Sequence, residues 1–116
     1  LASKPTPRKR PLDKHPSIAA IVKAEVSSVD TILAQRGSRY GTFQGHANVT
    51  QDFKRLLKKH LNDRDKVLTD TQQEALDMIF HKIGRIVNGD QNYDDSWVDV
   101  AGYSKLVADE LQGNVR

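Results

Sequence analysis

Cysteine is absent from the 116 residues, which excludes a disulfide scaffold, a thiol nucleophile and any zinc site with sulfur ligands. No apolar run approaches the ~20 residues that span a bilayer, and no apolar signal-peptide core is present. A soluble, cytoplasmic protein is therefore expected. The P-loop, the Gly-x-Gly-x-x-Gly turn and the Gly-x-Ser-x-Gly elbow are all missing, so P-loop, Rossmann and α/β-hydrolase chemistry lack support. Methionine and tryptophan occur once each and aromatics make up 6% of the chain. At this length a single domain with a sizeable core is the expectation.

Charge is present but unevenly placed. The net is +3 overall, yet residues 1–16 carry +4, residues 51–66 carry +3 and residues 67–116 carry −5. A basic front half precedes an acidic back half. Residues 1–16 also hold all four prolines and only two clearly apolar side chains, Leu1 and Leu12. With no face to bury, this stretch reads as a disordered basic arm. Its Arg8-Lys9-Arg10 cluster suits nucleic-acid phosphates, although short basic tails are commonly just solvated.

From Ser17 the apolar spacing is helical and no strand is evident. Ile18, Ile21, Val22, Val26, Val29, Ile32 and Leu33 recur at three- and four-residue steps, giving a helix over about 17–36 that the Ser27-Ser28 pair could divide in two. Residues 37–49, with three glycines, read as an ordered loop. A second helix is expected over 50–61, with Phe53, Leu56, Leu57 and Leu61 on one stripe. A third is expected over 69–88, opened by a capping box at Thr69-x-x-Gln72 or Asp70-x-x-Gln73 and closed by Asn88-Gly89. A fourth runs over 94–112. The expected fold is all-α, a four- to five-helix bundle forming one domain over 17–116.

The third helix divides into two faces. Leu76, Ile79, Phe80, Ile83, Ile86 and Val87 share one, expected to be core. Glu74, Asp77, His81 and Arg85 share the other. On the fourth helix Trp97, Val100, Ala101, Val107 and Leu111 are expected to face inward, with Asp95, Asp99, Gly102, Asp109 and Leu106 outward. Two carboxylate pairs, Glu74/Asp77 and Asp95/Asp99, suit a hard divalent cation such as Mg²⁺, which takes few carboxylates and shares phosphate oxygens. Lys82 and Arg85 would neutralise those phosphates. Gly102 would admit a ligand or a helix close to the backbone. The alternative is an ordinary solvated acidic face. A short connector implies antiparallel third and fourth helices, so the four acids meet only if these helices cross obliquely or a second subunit completes the cluster. His15, His46, His60 and His81 show no zinc-ligand spacing and read singly as surface or hydrogen-bonded groups.

Several segments carry a resemblance: Arg39-Tyr40-Gly41-Thr42-Phe43-Gln44-Gly45-His46-Ala47, Glu74-Ala75-Leu76-Asp77-Met78, His81-Lys82-Ile83-Gly84-Arg85, and the run from Asn88-Gly89-Asp90 through Tyr93 to Asp95-Ser96-Trp97-Val98-Asp99-Val100-Ala101-Gly102-Tyr103. Over about residues 35–112 the chain resembles a family of small, functionally unassigned all-helical proteins encoded by tailed phages and prophages. That family is distantly similar to the MazG-like all-α nucleoside triphosphate pyrophosphohydrolases, which bind Mg²⁺ between an E-E-x-x-E and an E-x-x-D helix. The resemblance implies metal ligation by Glu74, Asp77, Asp95 and Asp99, catalytic roles for Glu74, Asp77, Lys82 and Arg85, a homo-oligomer, and the cytoplasm of a bacterial host. Gln73 and Ser96 stand where the pattern has carboxylates, and Asp95 is one place out of register.

Three functions remain open on this reading. The first is Mg²⁺-dependent hydrolysis of a (deoxy)nucleoside triphosphate to monophosphate and pyrophosphate. The second is binding of a nucleotide or nucleotide signal without turnover, with Tyr40, Phe43, Tyr93, Trp97 and Tyr103 available for base stacking. The third is contact with a nucleic acid or host protein through the arm and the Lys54, Arg55, Lys58 and Lys59 run.

Overall fold

Four helices and no strand make up residues 17–116, which the computed structural model describes: α1 (Ile18–Tyr40), α2 (Phe43–Asp63), α3 (Asp70–Asn88) and α4 (Asp94–Leu111). The all-α expectation holds, and α3 and α4 begin within a residue of their expected starts. Thr69 closes a full capping box, its hydroxyl accepting from Gln72 N while Gln72 Oε1 accepts from Thr69 N. The basic arm assigned to 1–16 lies outside the described residues.

The segment 37–49 differs from its expected loop. α1 runs without a break through Ser27-Ser28 and on to Tyr40, and α2 starts at Phe43, seven residues early. Only Gly41-Thr42 separates them. Gly41 takes a left-handed φ of 76°, a conformation nearly free for glycine and costly for other residues. Thr42 then caps α2, its side chain accepting from Gly45 N at 3.1 Å. The other glycines of the segment are helical. Gly45 lies against the Asn88 side chain, where a Cβ would collide, while a Cβ on Gly37 meets nothing within 4 Å; close packing and loose turns both select the smallest residue.

The chain divides into two units, Leu1–Gln35 and Arg36–Arg116. In the first, every described residue from Ser17 to Gln35 is exposed. In the second, α3 packs on α2 along one side and on α4 along another, while α2 and α4 do not pack on each other. Two sides of α3 are therefore occupied where the sequence suggested one. The side holding His81 and Arg85 serves α2, so it is not a solvated face. Among the described residues the buried positions include the small residues Ala75, Thr50, Gly84 and Ser96. Leu76, Ile79, Phe80, Ile83 and Ile86 are half-buried as the α3 core face, with the Phe53 and Phe80 rings 5.6 Å apart. Val87, Trp97 and Leu111 were expected in the core and are exposed by more than half. A helix with one neighbour covers only part of an apolar stripe, and α4 has only α3.

A single corner ties three helix ends together. Asn88 Nδ2 donates to Tyr40 O and Thr42 O, both at 2.8 Å, and Asp90 N donates to Arg39 O at 2.7 Å. Gly89 passes so close to the Tyr40 backbone that a Cβ there would collide with it. Its φ of −134° is ordinary; what glycine supplies here is space.

Gly89→Ala should therefore lower stability by roughly 1–3 kcal/mol through overpacking, read as a reduced midpoint in urea. A Cβ on Gly102 meets nothing within 4 Å, so Gly102→Ala should leave stability unchanged or raise it by up to ~1 kcal/mol through helix propensity.

Candidate functional site

The corner delivers Arg39 and Tyr40 from the last turn of α1 against Arg85 of α3 and Tyr93, the N-cap of α4. These four side chains interleave. The Arg39 guanidinium lies 4.3 Å from the Tyr93 ring centroid and the Arg85 guanidinium 4.4 Å from that of Tyr40. The two rings meet edge-on at 6.2 Å. Each contact is a cation over an aromatic face, held by the ring quadrupole. The Tyr93 hydroxyl donates to Asp95 Oδ2 at 2.8 Å. That bond raises the Tyr93 pKa above its ordinary value, with slight help from burial. Among the described residues neither arginine has a carboxylate partner, so their charge is available to an incoming anion.

Lys82, three residues before Arg85, reaches across to α4 and pairs with Asp99 Oδ2 at 3.0 Å. Its side chain is 12% exposed against 45% for Asp99. The lysine is thus the desolvated partner and the carboxylate the solvent-facing one.

Beneath Arg85 a second pair joins α2 to α3. His46 Nε2 and His81 Nδ1 lie 3.1 Å apart, with the rings edge-on at 4.5 Å between centroids. One proton serves this bond, so one ring donates and the other accepts. Room for His46 comes from Gly84, where a Cβ would sit 2.9 Å from His46 Nδ1 and 2.7 Å from the Thr50 methyl. Thr50 Oγ1 turns back to donate to His46 O at 3.1 Å. His46 Nδ1 is buried and makes no hydrogen bond of good geometry; the nearby Gly84 backbone only partly offsets its loss of hydration. Burial, then the Arg85 charge, lowers the pKa of both rings, that of His81 to about 4. Both imidazoles are therefore neutral at pH 7.

The structure gathers some of the residues singled out in the sequence and separates others. Lys82, Arg85, Asp95 and Asp99 share the end of the molecule where α3 finishes and α4 begins. Glu74 is exposed near the start of α3, and Asp77 accepts from Gln73 Nε2 at 3.1 Å. Eight residues from Glu74 to Lys82 amount to ~12 Å along the helix. Helices α3 and α4 run antiparallel: a groove of about 450 Å³ is lined by Gln72, Ala75, Leu76 and Ile79 together with Ser104 and Val107 of α4. Within one chain the four carboxylates do not converge, and no group of three or more histidine or acidic side chains among the described residues is placed to hold a metal. Asp77 instead borders a second groove, about 590 Å³, with Lys54, Lys58 and Gln73. Asp109, expected outward, is buried and paired with Lys105 at 3.0 Å and Arg116 at 3.1 Å.

Sequence reasoning missed the Arg39–Tyr93 and Arg85–Tyr40 stacks and the histidine pair. Tyr40 and Tyr93 stood as separate aromatics, and His46 and His81 were weighed singly because 35 residues lie between them. Only the shared presence of Arg39, His46, His81, Arg85 and Tyr93 in the resembling segments pointed to them.

The histidine pair sets an acid limit. Between about pH 4 and 6.5 the unfolded chain binds a proton at His81 that the folded chain does not, so stability rises with pH across that window. Acidifying from pH 6.5 to 4 should lower the urea midpoint progressively. His81→Gln should flatten that slope, leaving the smaller part due to His46.

No curated protein and no solved structure matches the chain. A family model does match, over residues 25–111, and carries the description of a domain of unknown function. That span is three quarters of the sequence and covers the whole corner, the histidine pair and the Lys82–Asp99 bridge, so the chain belongs to the DUF6378 family.

Proposed function

We propose that this is a nucleotide-acting protein that binds the phosphates of a nucleotide at the α3–α4 end, in the manner of a Mg²⁺-dependent (d)NTP pyrophosphohydrolase. The observation that carries the reading is the concentration of cations there. Lys82 is largely desolvated and held by Asp99, and Arg39 and Arg85 are fixed on tyrosine faces without acidic partners among the described residues. Guanidinium and ammonium groups oriented before the ligand arrives are the usual means of stabilising phosphate charge. Tyr40 and Tyr93 offer aromatic surface beside them.

The donor set fits Mg²⁺ in a reduced form. Asp95 and Asp99 lie one helical turn apart, and Mg²⁺ takes one or two carboxylates with water and substrate phosphates completing its shell. When bound, the ion would supply charge neutralisation and activation of water. A four-carboxylate site within one chain does not fit. Ser96 is buried and Gln73 is committed to Asp77. Glu74 and Asp77 would join Asp95 and Asp99 only from a second copy. These two substitutions favour a second reading, nucleotide binding without turnover.

Thermal shift with a panel of nucleoside mono-, di- and triphosphates, with and without Mg²⁺, tests both when run beside a pyrophosphate-release assay. A ligand at ~100 times its Kd should stabilise by ~2.7 kcal/mol. Arg85→Ala should weaken binding by roughly tenfold, ~1.4 kcal/mol. A shift with product supports hydrolysis, and a shift without product selects the binding reading. No shift and no product would sink both.

A further inference from the structure

Residues 17–35 hold seven aliphatic side chains, Ile18, Ile21, Val22, Val26, Val29, Ile32 and Leu33, each between 41% and 81% exposed. At 100° per residue they fill an arc of about 140° on α1. A helix of this length is marginal in water unless such a face is buried. Within the arc Val22, Val26, Val29 and Leu33 follow steps of four, three and four, the spacing of a two-stranded coiled-coil seam, and Ala19 extends it by one further step. Ile18, Glu25 and Ile32 border one edge of that seam. Lys23 and Asp30, seven residues apart, border the other.

We propose that α1 pairs with α1 of a second copy in antiparallel orientation, about a two-fold axis at Ser27-Ser28. Antiparallel pairing sets Val26 against the partner's Val29 and Val22 against the partner's Leu33, and each layer recurs by symmetry. The same register brings Lys23 beside the partner's Asp30 twice, opposite charges in both places. A parallel pair in register would instead set Glu25 against the partner's Asp30, acid on acid. The seam is thus complementary to itself in one direction only, which identifies the occupant as another copy of this chain.

Light scattering on the full chain should give about 26 kDa, twice the 13.0 kDa of one copy, and Val26→Asp should halve it. Because the chain has no cysteine, introduced thiols report the register directly. A Val22→Cys chain mixed with a Leu33→Cys chain should form a disulfide-linked dimer under mild oxidation. Val22→Cys alone should not, since its two thiols would lie ~16 Å apart along the pair. Cross-linking of Val22→Cys with itself would overturn the orientation. A dimeric mass with no cross-link in either sample would place the interface elsewhere. A monomeric chain would overturn the proposal, and resistance of its Val22→Cys thiol to alkylation would show instead that the chain covers its own seam.

Discussion

Three helix ends are held at one point by the Asn88 side chain, and the candidate site is built on that junction. Its amide donates to the carbonyls of Tyr40 and Thr42; the first is among the carbonyls that a helix C-terminus leaves unsatisfied, and the second, at the cap of α2, already accepts from His46 N and takes a further bond. Gly41 supplies the left-handed turn and Gly89 the clearance that let the three backbones meet. Once they meet, Arg39 and Tyr40 have nowhere to go but against Tyr93 and Arg85. The guanidinium–tyrosine stack follows from a backbone clamp that makes no use of its own side chains.

The packing around α3 explains why so little of the molecule is fully buried. Among the described residues Ala75 is the apolar side chain that is buried, and the α2–α3 seam sets His46, Thr50 and Gly84 beside the Phe53–Phe80 contact. Such a seam gains less from hydrophobic burial than an aliphatic one and depends more on its hydrogen bonds being satisfied. Both imidazoles stay neutral at pH 7 because burial, and then the Arg85 charge, lowers their pKa, and the His46–His81 bond satisfies one nitrogen of each ring. Arg85 adds to the effect of burial in keeping this layer uncharged; on the proposed reading, phosphate recognition and helix packing would share that residue.

The placement of the acids bears on chemistry. Antiparallel α3 and α4 put Asp99 beside Lys82 and leave Glu74 and Asp77 about two turns away, so the end that collects the cations holds only two of the four carboxylates. On the proposed reading a phosphate ester would be attracted there before any metal is considered, and a cation binding there would share the end with Lys82 and the arginines. The proposed function is therefore better served by a metal that arrives with the nucleotide than by one resident in the protein.

Local interactions were legible in the sequence. Helix period, the Thr69–Gln72 capping box and the start of α4 depend on residues within a few positions of each other, and each is found as read. Lys82, Arg85, Asp95 and Asp99 could be named as polar residues on neighbouring faces for the same reason. The 37–49 segment could not be read correctly, because whether a glycine bends a chain or lets another helix approach is decided by that other helix. Exposure of Trp97 and Leu111 followed from α4 having a single neighbouring helix, which periodicity does not state. The pairing of His46 with His81, the stacking of Arg39 on Tyr93 and the separation of Glu74 from Asp99 joined or parted residues 25 to 54 positions apart. Sequence alone determined the helices and the chemical character of their faces; tertiary structure decided which faces met, because the Asn88 junction fixed the directions in which the helices leave it.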